Sequence, residues 1–189
     1  EDVERIRAAA GQTFNLEMAA TDEMVKIALR VRPDVVTLVP ERREERTTEG
    51  GLDVVGGGAA LRKHVAALRE AKIRVSLFVA ADAAQIDAAK ALGVEQVELH
   101  TGDYAHAEGS ATARELRRLG EGARHAHQAG LEVAAGHGLT QENVPLLVRI
   151  PEIVELNIGH AVVADALFVG LRGAVLAMRR AIDSQRDDT

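Results

Sequence analysis

Six short apolar runs, each followed by a helical pattern, constrain this chain more than any other feature. The runs are Phe14–Met18, Val35–Val39, Ile73–Val79, Val94–His100, Leu131–Ala135 and Val154–Ile158. Helical periodicity fills the intervals at Asp22–Val31, Ala59–Ala71, Ala83–Leu92, Ala111–Ala129 and Glu142–Val148. A further helical stretch, Val3–Ala10, precedes the first run, and two pieces, Ala161–Val169 and Leu171–Ile182, follow the last. Strict alternation of strand and helix implies parallel strands, because a crossover helix returns the chain to the same end of the sheet. IRVSLFV and VEQVELH are rich in β-branched residues and leucine, as buried parallel strands require. The punctuation agrees. Gly93 and Gly130 stand where helix C′ glycines belong, Thr21 can cap the next helix, and Pro33 marks entry to a strand.

Two architectures fit this order: an open doubly wound sheet and a closed TIM (β/α)8 barrel. A doubly wound nucleotide fold carries a glycine fingerprint after its first strand, and none follows Phe14–Met18. Polar groups instead mark nearly every strand end: Glu17, Thr47 beyond Val39, His100, His137 and His160. Chemistry drawn from many strand ends is the barrel pattern. A barrel of ~250 residues uses roughly 31 per βα unit, so 189 residues hold about six units. The expectation is an α/β chain with about the last six βα units of a barrel, in a single domain over residues 1–189.

The segment from Val39 to Gly58, VPERREERTTEGGLDVVGGG, is too long for an ordinary connection, since roughly 2–6 residues suffice in α/β units. Loops of this length commonly carry function. Composition narrows the ligand. The chain has three Phe, one Tyr, no Trp and a formal net charge of −6, so it lacks both the basic footprint and the stacking groups of a nucleic-acid binder. The absence of cysteine excludes disulfides and thiolate ligands and fits a cytoplasmic location. EDVERIRAAA is not a signal peptide, and no uncharged apolar run approaches the roughly 18 residues of a membrane span. With no HExxH, cysteine cluster or calcium loop, no metal site is expected.

Several residues suggest chemistry on their own. Glu98 and His100 alternate on one strand and so face the same side. An inward glutamate is costly unless it is paired or used. His137 lies between Gly136 and Gly138, which leave its imidazole open to a ligand; a neutral imidazole shuttles protons near pH 7. Gly159 and His160 follow the last strand, where barrels often seat a phosphate against a helix N-terminus. His64, His125 and His127 fall in helical stretches and are expected on outer faces, and Arg114 to Arg118 reads as a solvated helix face.

Five segments together, FNLEMA (Phe14–Ala19), the TTEGGLD loop, VELHTG (Val97–Gly102), AAGHGLT (Ala134–Thr140) and ELNIGHA (Glu155–Ala161), resemble pyridoxine 5′-phosphate synthase of vitamin B6 biosynthesis. The resemblance runs from the first residues almost to the C-terminus. It implies that 3-amino-2-oxopropyl phosphate condenses with 1-deoxy-D-xylulose 5-phosphate to pyridoxine 5′-phosphate, phosphate and water, without a cofactor. By the same resemblance Glu17 is a general acid–base, His137 the proton donor and Glu98 a stabiliser of the transition state. Thr47 then contacts the deoxyxylulose phosphate, Gly138 offers backbone to substrate, and Gly159 and His160 bind the amino-ketone phosphate. His100 is expected to back up the site rather than touch substrate. The resemblance also implies a homo-oligomer, commonly an octamer.

The family's first strand, first helix and second strand have no counterpart here, and with them go an Asn, an Asp-His pair, phosphate-gripping arginines and a further catalytic histidine. Two other readings stay open. One is a different phosphate-handling barrel enzyme, of aldolase or isomerase type; it would want a strand-end lysine, and Lys26, Lys63, Lys72 and Lys90 all lie in or beside helices. The other is a non-catalytic phosphate-binding barrel remnant.

Overall fold

The computed structural model describes residues 1–41, 45 and 50–184. The elements run α1 (Asp2–Ala9), β1 (Asn15–Ala19), α2 (Asp22–Val31), β2 (Val35–Val39), α3 (Gly58–Glu70), β3 (Arg74–Val79) and α4 (Ala83–Leu92). They continue as β4 (Gln96–His100), α5 (Gly102–His106), α6 (Ser110–Gln128), β5 (Glu132–Gly136), α7 (Val144–Leu147), β6 (Ile153–Asn157) and α8 (His160–Asp183). All strand pairs are parallel, and the sheet order is β1-β2-β3-β4-β5-β6. This order decides between the two architectures. A doubly wound sheet reverses direction at a switch point; here every crossover steps one strand in the same sense. The sheet is a partial (β/α) barrel, open between β1 and β6.

The register sorts the strand residues into two faces. Leu16, Met18, Val36, Leu38, Val75, Leu77, Val97, Leu99, Val133 and Ala135 face the helices and form the core with Leu61, Val65 and Leu68 of α3, Ile86 of α4 and Leu119 of α6. The opposite face, the barrel interior, carries Asn15, Glu17, Thr37, Ser76, Phe78, Gln96, Glu98, His100, Glu155 and Asn157 by the same parity. Buried helix-facing aliphatics hold the sheet at roughly 1.5–3 kcal/mol per fully buried side chain. The polar face is left for chemistry. Its lower end is tied by Arg74 to Glu132 at 3.2 Å and by the Gln96 amide, which donates to Glu132 at 3.0 Å and to Glu155 at 3.1 Å.

Local signals act as their chemistry requires. The Thr21 hydroxyl accepts from the Met24 amide at 3.2 Å, and the Asp82 carboxylate accepts from the Gln85 amide at 3.1 Å. Gly93 (φ 80°) ends α4 in the left-handed conformation. After the long connection, the Leu52 amide donates to the Phe78 carbonyl at 2.7 Å, and the Val54 amide donates to the buried Gln85 side chain at 2.7 Å. Gly51 lies so close to β3 that an added Cβ would overlap the Ala80 amide nitrogen. Gly51→Ala is therefore expected to cost about 1–3 kcal/mol of stability; a urea midpoint equal to that of the unsubstituted chain would contradict the packing.

The structure corrects several expectations. His64 is not on an outer face: it is 6% exposed and bonds Asp22 at 2.9 Å. The hydrogen bond from Lys63, followed by that from His64, holds the Asp22 carboxyl at about 2, well below its usual value. Arg118 is only partly solvated and pairs with Glu115 at 2.8 Å and Asp103 at 3.4 Å, joining α6 to α5. Helix α5 was not expected, because five residues opening on a glycine carry too little periodicity. Helix α7 is shorter than Glu142–Val148, since Thr140–Asn143 forms a turn in which the Thr140 amide donates to Asn143 Oδ1 at 2.8 Å.

The two helical pieces expected after the last strand are both present: within α8, Gly170 (φ 74°, ψ 155°) leaves the helical region and separates them. By length and composition α8 could cross a membrane, with mean hydropathy 1.8. Gly170 interrupts it, Asp165 accepts from Gln141 at 2.7 Å, and Ala174 and Met178 are buried, Met178 in a cluster with Val144 and Val148. Leu167 and Phe168, beside the kink, are 82% and 89% exposed.

Candidate active site

Parallel strands place all their C-terminal ends at one edge of the sheet; His137 and Gly138 follow β5 there and Gly159 and His160 follow β6, while Glu17 and Glu98 stand mid-strand on the interior face. Glu98, in the middle of β4, points into the barrel and is 2% exposed. The Asn157 amide, from β6, donates to Glu98 Oε2 at 2.8 Å. Burial pushes the Glu98 carboxyl up to about 7, with the charges of Glu17 and Glu155 adding to the rise and the Asn157 hydrogen bond opposing it. A carboxyl with that value exchanges protons readily at neutral pH.

Glu17 lies mid-strand on β1 rather than at its end, opposite Thr37 of β2, with its side chain exposed on the interior face. Beneath it the Asn15 amide donates to Thr37 Oγ1 at 2.9 Å, which ties β1 to β2. Glu17 on β1 and Glu98 on β4 face the same interior with β2 and β3 between them, and the Glu17 charge adds to the rise at Glu98.

His137 follows β5 directly and is exposed. Its φ of 82° is a left-handed value that side-chain-bearing residues seldom adopt. The buried Thr101 hydroxyl lies 2.6 Å from the His137 carbonyl and 2.7 Å from that of Gly136, and the Thr101 amide donates to the latter at 2.9 Å. On the far side, Asn143 Nδ2 donates to the Gly138 carbonyl at 3.1 Å, and the Tyr104 hydroxyl donates to the Asn143 carbonyl at 2.6 Å. Gly138 (φ 77°) passes Ala105 so closely that an added Cβ would come within 2.6 Å of the alanine methyl.

The His137 imidazole stacks on His100, with centroids 5.1 Å apart and planes at 29°. Phe78 meets His100 edge-on at 5.3 Å. Gly50 and Gly102 flank the His100 ring, where added Cβ atoms would sit 2.9 Å and 2.6 Å from Cε1. His100 thus braces the exposed imidazole and carries the end of the long loop. Thr47 lies outside the described residues, as do Arg42, Arg43 and Arg46.

Gly159 and His160 stand at the opening of α8, one as N-cap and the other as first helical residue, both exposed. The first intrahelical bond runs from the Val163 amide to the Gly159 carbonyl at 3.0 Å, so the preceding amides face outward, as anion-binding helix ends do. Among the described residues, no group of three or more His, Asp or Glu is arranged to hold a metal ion. The four lysines lie on α2, α3 and α4 or in the turn before β3, none of them on a strand.

Sequence reasoning missed Asn157, Gly136 and Thr101. Their only signal was membership in the quoted motifs, where parity along β6 already placed Asn157 on the face of Glu155.

The sequence profile of the pyridoxal phosphate biosynthesis protein PdxJ family matches residues 1–184. The chain belongs to that family. Within it, the chain is 54% identical over 189 residues to the pyridoxine 5′-phosphate synthase of Xanthobacter autotrophicus, covering 98% of this chain and 74% of that one. It is 52% identical over 184 residues to the enzyme of the same name from Rhodospirillum rubrum, covering 97% and 74%. Among solved structures, a 4-hydroxy-2-oxoglutarate aldolase resembles it with TM-score 0.64 at 13% identity, over 95% of this chain and 74% of that one. A mandelate oxidase does so with TM-score 0.64 at 15% identity, over 98% and 60%. At such identities these structures speak for the barrel fold alone. Membership in the PdxJ family rests on the sequence matches.

Proposed function

We propose that this chain is a pyridoxine 5′-phosphate synthase that joins 3-amino-2-oxopropyl phosphate to 1-deoxy-D-xylulose 5-phosphate. Pyridoxine 5′-phosphate, inorganic phosphate and water are released. The observation that carries the reading is a near-neutral buried carboxyl, Glu98, on the same strand as the ring that braces an exposed imidazole, His137, in a chain of the PdxJ family. Imine formation, enolisation, elimination and ring closure are proton transfers, and they need such groups more than a nucleophile.

In this reading Glu17 is the general acid–base, standing on the open interior face. His137 is the proton donor, exposed at the rim. The Glu98 carboxylate stabilises positive charge that develops on the imine nitrogen. Gly138 presents backbone to substrate, and Thr47 meets the deoxyxylulose phosphate. Gly159 and His160 hold the amino-ketone phosphate on the outward amides of α8. The aldolase or isomerase reading has no lysine on a strand to support it. A homo-oligomer of octamer size accords with the exposed Leu167 and Phe168. The cytoplasm suits the two phosphorylated metabolites.

The same reading assigns barrel closure to a first strand, first helix and second strand of the kind the family carries, which would fill the gap between β1 and β6. The test is one assay with two arms, reading pyridoxine 5′-phosphate by mass spectrometry. One arm holds the 189-residue chain; the other adds the N-terminal quarter of the Xanthobacter autotrophicus enzyme. Product is expected in the second arm only. No product in either arm would remove the functional reading, and full turnover by the chain alone would remove the closure.

A further inference from the structure

The motifs AAGHGLT and ELNIGHA each contain a residue that the proposed mechanism leaves unused: Gly136 and Asn157. Both meet at one carboxylate. Asn157 Nδ2 donates to Glu98 Oε2 at 2.8 Å. A Cβ added to Gly136 would overlap Glu98 Oε1 and would lie 3.0 Å from the Asn157 carbonyl. The Glu98 carboxylate therefore lies across β5, in the space a side chain at position 136 would take, and reaches the amide of β6.

This arrangement spans three strands and depends on a local irregularity. The β5–β6 register shifts between Val133 and Ala134, so that Ala134 pairs with Glu155 and Gly136 with Asn157. Without that shift, Asn157 would not stand beside Gly136. The gap over Gly136 admits the carboxylate, and the shifted register delivers the amide to it.

We infer that Asn157 is a positioning residue for Glu98: with Gly136 it fixes the carboxylate in one orientation and favours its anionic form. The inference rests on the assignment of Glu98 as the group that stabilises positive charge in the reaction. A hydrogen bond donated to a carboxylate is among the strong ones, and it favours the charged form. The opposing influences on Glu98 come from Glu17 on β1 and Glu155 on β6. The residues next to Glu98 on β3 and β5, Phe78, Ala134 and Gly136, carry no charge. Asn157 is thus the neutral donor that offsets two like charges and the loss of water.

The test uses Asn157→Leu, which keeps bulk and removes the donor, in the active enzyme. The Glu98 side-chain carboxyl is followed by carbon NMR, with Glu98→Gln identifying its signal. Its titration is expected to move up by about one pH unit. At pH 7 the ionised share then falls from about half to about one-tenth, so kcat falls about fivefold. The rising limb of the pH–rate profile shifts upward by the same unit, while KM for both substrates stays within about twofold. In a Glu98→Gln background, Asn157→Leu is expected to change kcat no further. Gly136→Ala supplies a second variant that presses on the same carboxylate while keeping the Asn157 amide group, and it is expected to displace the Glu98 signal and lower kcat.

An unmoved Glu98 titration in Asn157→Leu would overturn the inference. So would an equal loss of kcat in the presence and absence of Glu98. The two readings fail separately. Absence of turnover in the unsubstituted enzyme counts against the proposed function, whereas the NMR titration reports on the Asn157–Glu98 pair in either case.

Discussion

His137→Ala is expected to lower kcat by about 10²–10⁴-fold, the usual contribution of a positioned acid or base, with much less effect on substrate affinity. Its imidazole is exposed at the rim, held by a backbone that Thr101 grips from one side and Asn143 from the other. Truncation leaves that framework intact, because the grip falls on carbonyl oxygens and not on the ring. Glu17→Ala is expected to behave alike: its side chain is exposed, and the Asn15–Thr37 bond that ties β1 to β2 does not involve it. Steady-state kinetics in the two-substrate assay separate the outcomes. A loss confined to KM would recast either residue as a binding group, and near-normal kcat in both would end their assignment to proton transfer.

His100 makes the contrast. It was expected only to back up the site, and the structure gives it a specific place against the His137 ring, with Phe78 on its edge. No pattern in the sequence announces a stack between residues 37 positions apart, because the contact arises from the pairing of β4 with β5, which brings His100 beside Gly136. What was legible follows from period and punctuation. The six strands, the capping role of Thr21 and the left-handed Gly93 each depend on a few neighbouring residues. Parity along β4 likewise puts Glu98 and His100 on one face.

What was not legible depends on contacts between distant segments. His64 has the helical spacing of a surface residue, yet α2 brings Asp22 to it and closes it from solvent. The cradle of Glu98 needs both the missing Cβ of Gly136 and a register shift in β5–β6, and neither can be read along one strand. Family motifs flagged those positions without explaining them. The geometry supplies the reason: one glycine of AGHG makes room for the carboxylate, while the next residues aim the imidazole.

Glu98→Gln is expected to make the protein more stable and much less active. The carboxyl is raised from 4.5 to about 7 on folding, chiefly by burial. Between those values the native state binds the proton more tightly than the unfolded chain, so stability falls as pH rises from about 4.5 to 7 and levels off above. The full difference corresponds to about 3 kcal/mol, lost at pH 8 and mostly recovered at pH 5. A neutral glutamine does not titrate. Its advantage over glutamate should therefore grow by about 2 kcal/mol between pH 5 and pH 8, as read from urea unfolding at the two values. Activity should fall by at least tenfold at pH 8, where Glu98 is ionised, since the amide cannot carry the charge assigned to Glu98. This is the signature of a group kept for chemistry at a cost to folding. A stability difference independent of pH would show that the Glu98 carboxyl titrates normally. A stable variant with normal turnover would remove Glu98 from the mechanism and leave Asn157 and Gly136 as features of packing alone.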